Sequence, residues 1–295
     1  MQKIGFIGLG DMGIYMSRNL LRAGYFVQGF DMNPERMEQF KQNGGLPCSS
    51  NRQVGENIDV AVIMVFNADQ VRSVMFEKNG LLETLREGAT VIITATIGMK
   101  SMEDIAAEAA KKGIHIIDCA VTGGQIGAEA GVLTMMVSGS KDTIDECRDI
   151  LDVIGTMLVI VGDKPGYGQL MKHCNGILST ICTIGTCEAM AFGIKAGLDP
   201  QQMIEVLGNG TGSSPTFKHD SNKILSRQFS GGGVQLKTLY KDTNLLMEMA
   251  KDLEVPLYET AICNEIIHAA FKKFPTEDNW AIIKLYEDII GVEVK

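Results

Sequence analysis

The sequence is poor in the features that mark several protein classes. Its seven cysteines, at 48, 119, 147, 174, 182, 187 and 263, include no C-x-x-C pair. An odd count without such pairs suggests neither a zinc site nor a disulfide framework. Buried, reduced thiols in a cytoplasmic protein are the plain expectation. The four histidines, His115, His173, His219 and His268, show no ligand spacing, so no metal is expected. Positive charge is scarce as well. A formal net charge of -9 argues against binding along a nucleic-acid backbone. The most apolar stretch, 177–194, is broken by Thr180, Thr183, Thr186 and Glu188, which suits a helical core better than lipid. The opening "MQKIGFIGLG" enters a strand-like run at once, so neither a signal peptide nor a membrane partner is expected.

What is present divides into two halves. Short apolar runs read as strands at 3–9, 26–30, 59–65, 89–95, 114–118, 132–139 and 157–162, with helical patterns between most of them. In "SMEDIAAEAAKKG" (101–113), Ser101 is a candidate helix cap and Gly113 a stop. Such alternation predicts an α/β domain with a mostly parallel sheet covered by helices. From Pro165 onward no run reads as a strand. One long helix occupies 167–196, and further helical patterns follow near 200–208, 215–227, 234–252, 256–272 and 279–290. The turn "GDKPG" marks the boundary, giving domains 1–163 and 164–295.

The stretch "GFIGLGDMG" sets Gly8, Gly10 and Gly13 in G-x-G-x-x-G spacing, after a strand and before a helix. Gly8 permits the tight turn, Gly10 lets backbone approach a pyrophosphate, and Gly13 lets helix and strand pack closely. Asp11 and Met12 of the same turn join them as candidate cofactor-binding residues. The helix start then presents free N–H groups and a favourable dipole to phosphate. Asp31 follows the next strand. A carboxylate there accepts hydrogen bonds from the adenosine ribose hydroxyls and repels a 2′-phosphate, favouring NAD over NADP. Arg36 nearby argues the other way, because a guanidinium pairs with phosphate. The alternative for Asp31 is a turn or cap residue before "NPER".

Along its whole length the chain resembles the β-hydroxyacid dehydrogenases, the 3-hydroxyisobutyrate dehydrogenase family. Four blocks carry the likeness, in order: "GFIGLGDMGIYMSRNLLRAG" (5–24), "DCAVTGGQIGAEAGVLTMMVSG" (118–139), "GYGQLMKHCN" (166–175) and "YKDTNLLMEMA" (240–250). The resemblance implies a Rossmann-like domain, a long connecting helix, an all-α domain and homodimers or homotetramers. It also implies roles. Lys172 matches the catalytic lysine. Thr122, Gly123 and Gly124 match the substrate-anchoring Ser-Gly-Gly, and Asn175 the asparagine that positions substrate. Val65, Phe66, Thr96 and Lys241 fall where relatives meet the cofactor. Departures concern the substrate end: Ala120 and Phe66 replace prolines, Thr122 replaces serine, Lys237 stands at an often acidic position, and the triple glycine 231–233 inserts a residue. The wording at 64–76, 210–217 and 277–287, with Ser214 and Phe217, is more similar to the L-threonate dehydrogenase branch.

The implied reaction oxidises an alcohol of a small carboxylate substrate. Lysine takes the hydroxyl proton only when neutral, and its ordinary pKa is about 10.4. Burial and nearby positive charge, from Lys241 and a cationic nicotinamide, favour the neutral form. Lys172 is therefore expected to act as general base in oxidation and general acid in reduction. Three other readings share the scaffold: an NADPH-dependent reductase of a small aldehyde acid, an imine reductase, and a non-catalytic NAD(P)-binding protein. Imine-reducing relatives usually lack the lysine.

Overall fold

The computed structural model describes residues 2–295. The chain packs as two compact units, one running to Lys172 and one from His173 to Lys295. The first holds eight strands: β1 (Lys3–Ile7), β2 (Phe26–Phe30), β3 (Leu46–Pro47), β4 (Val60–Ile63), β5 (Thr90–Ile93), β6 (His115–Thr122), β7 (Leu133–Ser138) and β8 (Gly155–Gly162). They form one sheet in the order β3-β2-β1-β4-β5-β6-β7-β8. Every neighbouring pair is parallel except β6 with β7. The chain order reverses about β1 and β4, and the crevice beyond the carboxyl ends of such strands is where open α/β sheets bind ligands.

Strand chemistry explains the layering. Every residue of β4 (VAVI) and β5 (TVII) is buried, as expected when helices cover both faces of a parallel sheet. Successive side chains point to opposite faces. Phe6, Val62 and Ile92 therefore join one apolar cluster, while their neighbours Ile7, Ile63 and Ile93 join the other. The covering helices are α1 (Gly13–Arg22), α2 (Pro34–Gln42), α3 (Asn51–Val54), α4 (Ala68–Phe76), α5 (Met99–Ala110), α6 (Gly124–Ala130), α7 (Lys141–Glu146) and α8 (Arg148–Ile154).

One local expectation is corrected. Ser101 does not cap α5. The helix begins two residues earlier, and Gly98, at φ +82°, occupies the cap position. A glycine reaches that backbone conformation without a Cβ clash, so the turn decides the start. The edge strand β3 is absent from the sequence reading because two residues carry no alternation to detect.

The second unit is helical. α9 (Tyr167–Lys195) begins in the first unit and runs into the second, followed by α10 (Pro200–Asn209), α11 (Pro215–Leu225), α12 (Leu236–Asp252), α13 (Tyr258–Lys273), a 3-10 turn (Asn279–Ile282) and α14 (Ile283–Ile290). By length and composition α9 would pass for a membrane span. Its Ile184, Cys187, Met190 and Ala191 are buried in the core of the second unit, with Ile224, Ile267 and Trp280. α10 and α11 each start with a capping side chain followed by proline. Asp199 accepts the Gln202 N–H and Ser214 the Phe217 N–H, both at 2.9 Å. Ser214 and the buried Phe217 thus serve local structure. The triple glycine also has a packing cause. The N–H groups of Gly232 and Gly233 donate to Asp278 Oδ2, and a Cβ on Gly233 would lie 2.2 Å from the Trp280 ring. Burial raises the thiol pKa of Cys48, Cys119, Cys147, Cys187 and Cys263, which keeps them protonated and inert.

Candidate active site

The glycine turn joins β1 to α1, and its three glycines answer to different constraints. Gly8 has φ +89°, and a Cβ on it would fall 2.2 Å from the Met64 carbonyl oxygen. A Cβ on Gly13 would fall 1.9 Å from the Gly8 carbonyl oxygen. These two are fixed by the protein's own packing. A Cβ on Gly10 would meet nothing within 4 Å. Its smallness serves no internal contact, which fits a position kept clear for a ligand. No side chain caps α1, although helix starts elsewhere in the chain are capped. The turn therefore keeps the open backbone donors that a dinucleotide pyrophosphate requires.

Asp31 follows β2 and braces this turn. Its Oδ2 accepts the Leu9 N–H at 2.7 Å and its Oδ1 accepts the Asn33 N–H at 2.8 Å. Asn33, rather than Asp31, caps α2. Each carboxylate oxygen keeps further acceptor capacity, and the residue is half-buried, so ribose hydroxyls can still be received. Arg36 forms an ion pair with Asp11 and donates to Gln39 Oε1 at 3.3 Å. Met12, half-buried, stands at the N-cap position of α1.

The remaining first-unit candidates lie at the same ends of neighbouring strands. Val65 and Phe66 follow β4. The Val65 side chain flanks Gly8, and the Phe66 N–H donates to Gln70 Oε1 at 2.8 Å, the residue being exposed. Thr96 follows β5. Thr122 ends β6, opposite Thr134 of β7, and Gly123 at φ +126° and Gly124 at φ +62° open α6. Lys172, in the second turn of α9, extends Nζ to the Val121 carbonyl oxygen at 2.8 Å. The ammonium thus stands beside the backbone of the Thr-Gly-Gly turn, 50 residues earlier in the chain by the difference between 172 and 122.

A buried polar network holds this arrangement. Asp118, in β6, is fully buried. Its Oδ2 accepts from Gly166 N–H at 2.9 Å, Gln169 N–H at 3.1 Å and Ser138 Oγ–H at 3.1 Å, while Oδ1 accepts from Gln169 Nε2 at 2.8 Å. Gln169 in turn brackets Thr96. It donates to the Ala95 carbonyl at 3.2 Å and accepts the N–H groups of Ile97 and Gly98 at 2.8 and 3.2 Å. Desolvation raises the Asp118 pKa above the usual carboxylate value, against the lowering effect of its donors. Gly168 lets α9 descend onto this network, since a Cβ there would lie 2.6 Å from the Met136 carbonyl oxygen.

Two candidates belong to the second unit. Asn175 is exposed on α9, one turn beyond Lys172. Lys241, in α12, pairs with Asp242 at 2.8 Å. His173 is buried, as its position on the helix face opposite the exposed residues requires. Asp118, Ser138 and Gln169 lie within the family-like blocks, and their roles emerge only in the fold. The available signal was an aspartate inside the apolar strand "IIDCAV", where an ion survives burial only if it is hydrogen-bonded.

Comparisons with known proteins show the family. Residues 3–162 match the NAD binding domain of 6-phosphogluconate dehydrogenase, and residues 166–286 match the family described as NAD-binding of NADP-dependent 3-hydroxyisobutyrate dehydrogenase. The chain is 34% identical over 293 residues to 2-(hydroxymethyl)glutarate dehydrogenase of Eubacterium barkeri, covering 99% of this chain and 97% of the relative. It is 31% identical to L-threonate dehydrogenase of Cupriavidus necator, covering 98% and 97%. The crystal structure of 3-hydroxyisobutyrate dehydrogenase from Salmonella typhimurium superposes with a TM-score of 0.87 at 28% identity, covering 97% of this chain and 100% of that one. A strand-end crevice built for a dinucleotide, matched over both units by such relatives, establishes that the chain belongs to the 3-hydroxyisobutyrate dehydrogenase family, NAD(P)-binding dehydrogenases that act on hydroxyl groups.

Proposed function

We propose that the protein oxidises the alcohol of a small hydroxy acid with NAD, using Lys172 as the proton-transfer group. The observation that carries this reading is the Lys172 Nζ contact with the Val121 carbonyl, which holds the amine beside Thr122 and the two glycine N–H groups. That juxtaposition suits a substrate with a carboxylate and a hydroxyl a few atoms apart. The Thr122 hydroxyl and the N–H groups of Gly123 and Gly124 receive the carboxylate, and glycines let backbone donors come close. Lys172 takes the hydroxyl proton and stabilises the developing alkoxide. Asn175 is assigned to the substrate and Lys241 to the cofactor. The bound nicotinamide supplies the hydride acceptor. Asp31, facing ribose hydroxyls as an acceptor, favours NAD over NADP.

The relatives named for L-threonate, 2-(hydroxymethyl)glutarate and 3-hydroxyisobutyrate share that carboxylate-plus-alcohol chemistry, which supports the substrate class. We propose a cytoplasmic homodimer or homotetramer acting without nucleic-acid or membrane partners. The test is a spectrophotometric screen of NAD reduction with L-threonate, 3-hydroxyisobutyrate, 2-(hydroxymethyl)glutarate, glycerate and L-serine. Lys172→Ala is run beside the wild type. At least one acid is expected to turn over, with kcat falling by about 10²-fold or more in the variant while the Kd for NAD holds within about twofold. Comparable turnover in Lys172→Ala would remove the lysine from its role.

A further inference from the structure

The ion pair between Arg36 and Asp11 joins two elements that the cofactor would touch separately. Asp11 lies within the glycine turn, between Gly10 and Gly13, with its side chain 56% exposed. A carboxylate at a pyrophosphate-binding turn opposes the ligand's charge, so it stands out there. Arg36 rises from the first turn of α2, whose cap residue Asn33 hangs on Asp31. Its backbone therefore lies five residues beyond the acid assigned to the ribose, on the helix that follows it. One edge of the guanidinium is committed to Asp11 and another to Gln39. A guanidinium beside an adenosine ribose pairs well with a 2′-phosphate, through short charge-assisted bonds in a fixed fork. Here that fork is turned back onto the glycine turn.

We infer that Asp11 is a specificity-determining residue: by holding Arg36 on the glycine turn, it withholds from a 2′-phosphate the guanidinium that would otherwise bind it. The pair also neutralises the carboxylate where the pyrophosphate docks. NAD preference then has two parts, the acceptor at Asp31 and the tether at Asp11. The second part deepens the proposed NAD preference and rests on that reading. An exposed ion pair restrains its partners by a factor of only about two to five, so the tether is easily broken. Arg–phosphate bonding brings a gain of about tenfold.

The test measures Kd for NAD and for NADP by calorimetry, in the wild type, Asp11→Asn, Arg36→Gln and the double variant. The ratio of the two constants cancels any change in pyrophosphate binding common to both cofactors. In Asp11→Asn the NADP to NAD affinity ratio is expected to rise by about twofold to fivefold, the factor by which the pair restrains Arg36. In Arg36→Gln alone it is expected to stay within about twofold, because that arginine is already engaged. In the double variant the gain is expected to vanish. Lys41 also lines the groove beside Asp31, so a gain that survives in the double variant would assign the effect elsewhere and overturn the proposal. An unchanged ratio in Asp11→Asn would overturn it too. So would a selective loss of NADP affinity in Arg36→Gln alone. If the wild type prefers NADP, the Asp31 reading fails on its own, whatever Asp11→Asn does.

Discussion

Two helix starts in the first unit share a design and differ in use. α1 and α9 each follow a glycine turn, and each leaves its first N–H groups without partners inside the helix. At α1 no side chain caps them, and the space over Gly10 is open. At α9 the donors are claimed from within. Gly166 and Gln169 give their N–H groups to Asp118, and Gly168 gives its own to Ser138. A helix start that faces a crevice is a ligand site. The same chemistry facing a buried carboxylate is a fixed joint. The first is the site proposed for the cofactor, and the second sets the register of Lys172, one turn beyond Gln169.

The contrast is broken most severely at the joint. Asp118→Ala would leave the buried donors of Gly166 and Gln169 unmet and open a cavity. A loss of about 3–5 kcal/mol of stability is expected from urea unfolding. Asp118→Asn keeps an acceptor for the backbone donors but sets its amide against Gln169 Nε2, so a smaller loss of about 1–3 kcal/mol is expected. At the other start, Gly13→Ala forces a methyl onto the Gly8 carbonyl and should cost about 1–3 kcal/mol.

Gly10→Ala sharpens the comparison further. Stability should hold to within about 0.5 kcal/mol, while Kd for NAD, read by calorimetry, rises about tenfold or more as the methyl enters the ligand's space. An alanine at 10 that lowers stability as much as one at 13 would erase the distinction between a ligand glycine and a packing glycine.

The smallest effect concerns pH. Burial holds the Asp118 pKa above its unfolded value. The folded state thus keeps its proton to higher pH than the unfolded state does. Its stabilising contribution is complete below about pH 4, the unfolded carboxylate value, and is lost as pH rises through the folded value. Urea unfolding between pH 4 and 7 should show a shallower decline in Asp118→Asn than in the wild type. An equal slope in both would mean that Asp118 stays ionised throughout.

Much of this was legible in the chain. The strands of the first unit announce themselves as apolar runs, because a sheet covered on both faces leaves no polar alternation to confuse them. The cofactor turn is legible because three glycines in fixed spacing between a strand and a helix form a local pattern, although only Gly13 answers to a clash nearby, with Gly8, while Gly8 answers to the distant Met64. Lys172 and the Thr-Gly-Gly turn were named through resemblance, and the fold brings them together. The roles of Asp118, Ser138 and Gln169 are hidden in the sequence because their partners lie 20 to 74 residues apart along the chain. Ser101 resembles a cap in the sequence, yet a glycine with positive φ, and not a hydroxyl, sets the start of α5.

The sequence by itself determined the two-part organisation, the glycine turn and the residue types available for proton transfer. These are matters of local sterics and periodicity, which the chain carries wherever it goes. Only the tertiary structure decided that one aspartate would be buried under α9, that Gln169 would clasp both sides of Thr96, and that Arg36 would turn back to Asp11. Each of those choices depends on which strand ends lie side by side. The sheet order settles that through the burial of both its faces, and no stretch of neighbouring residues encodes it.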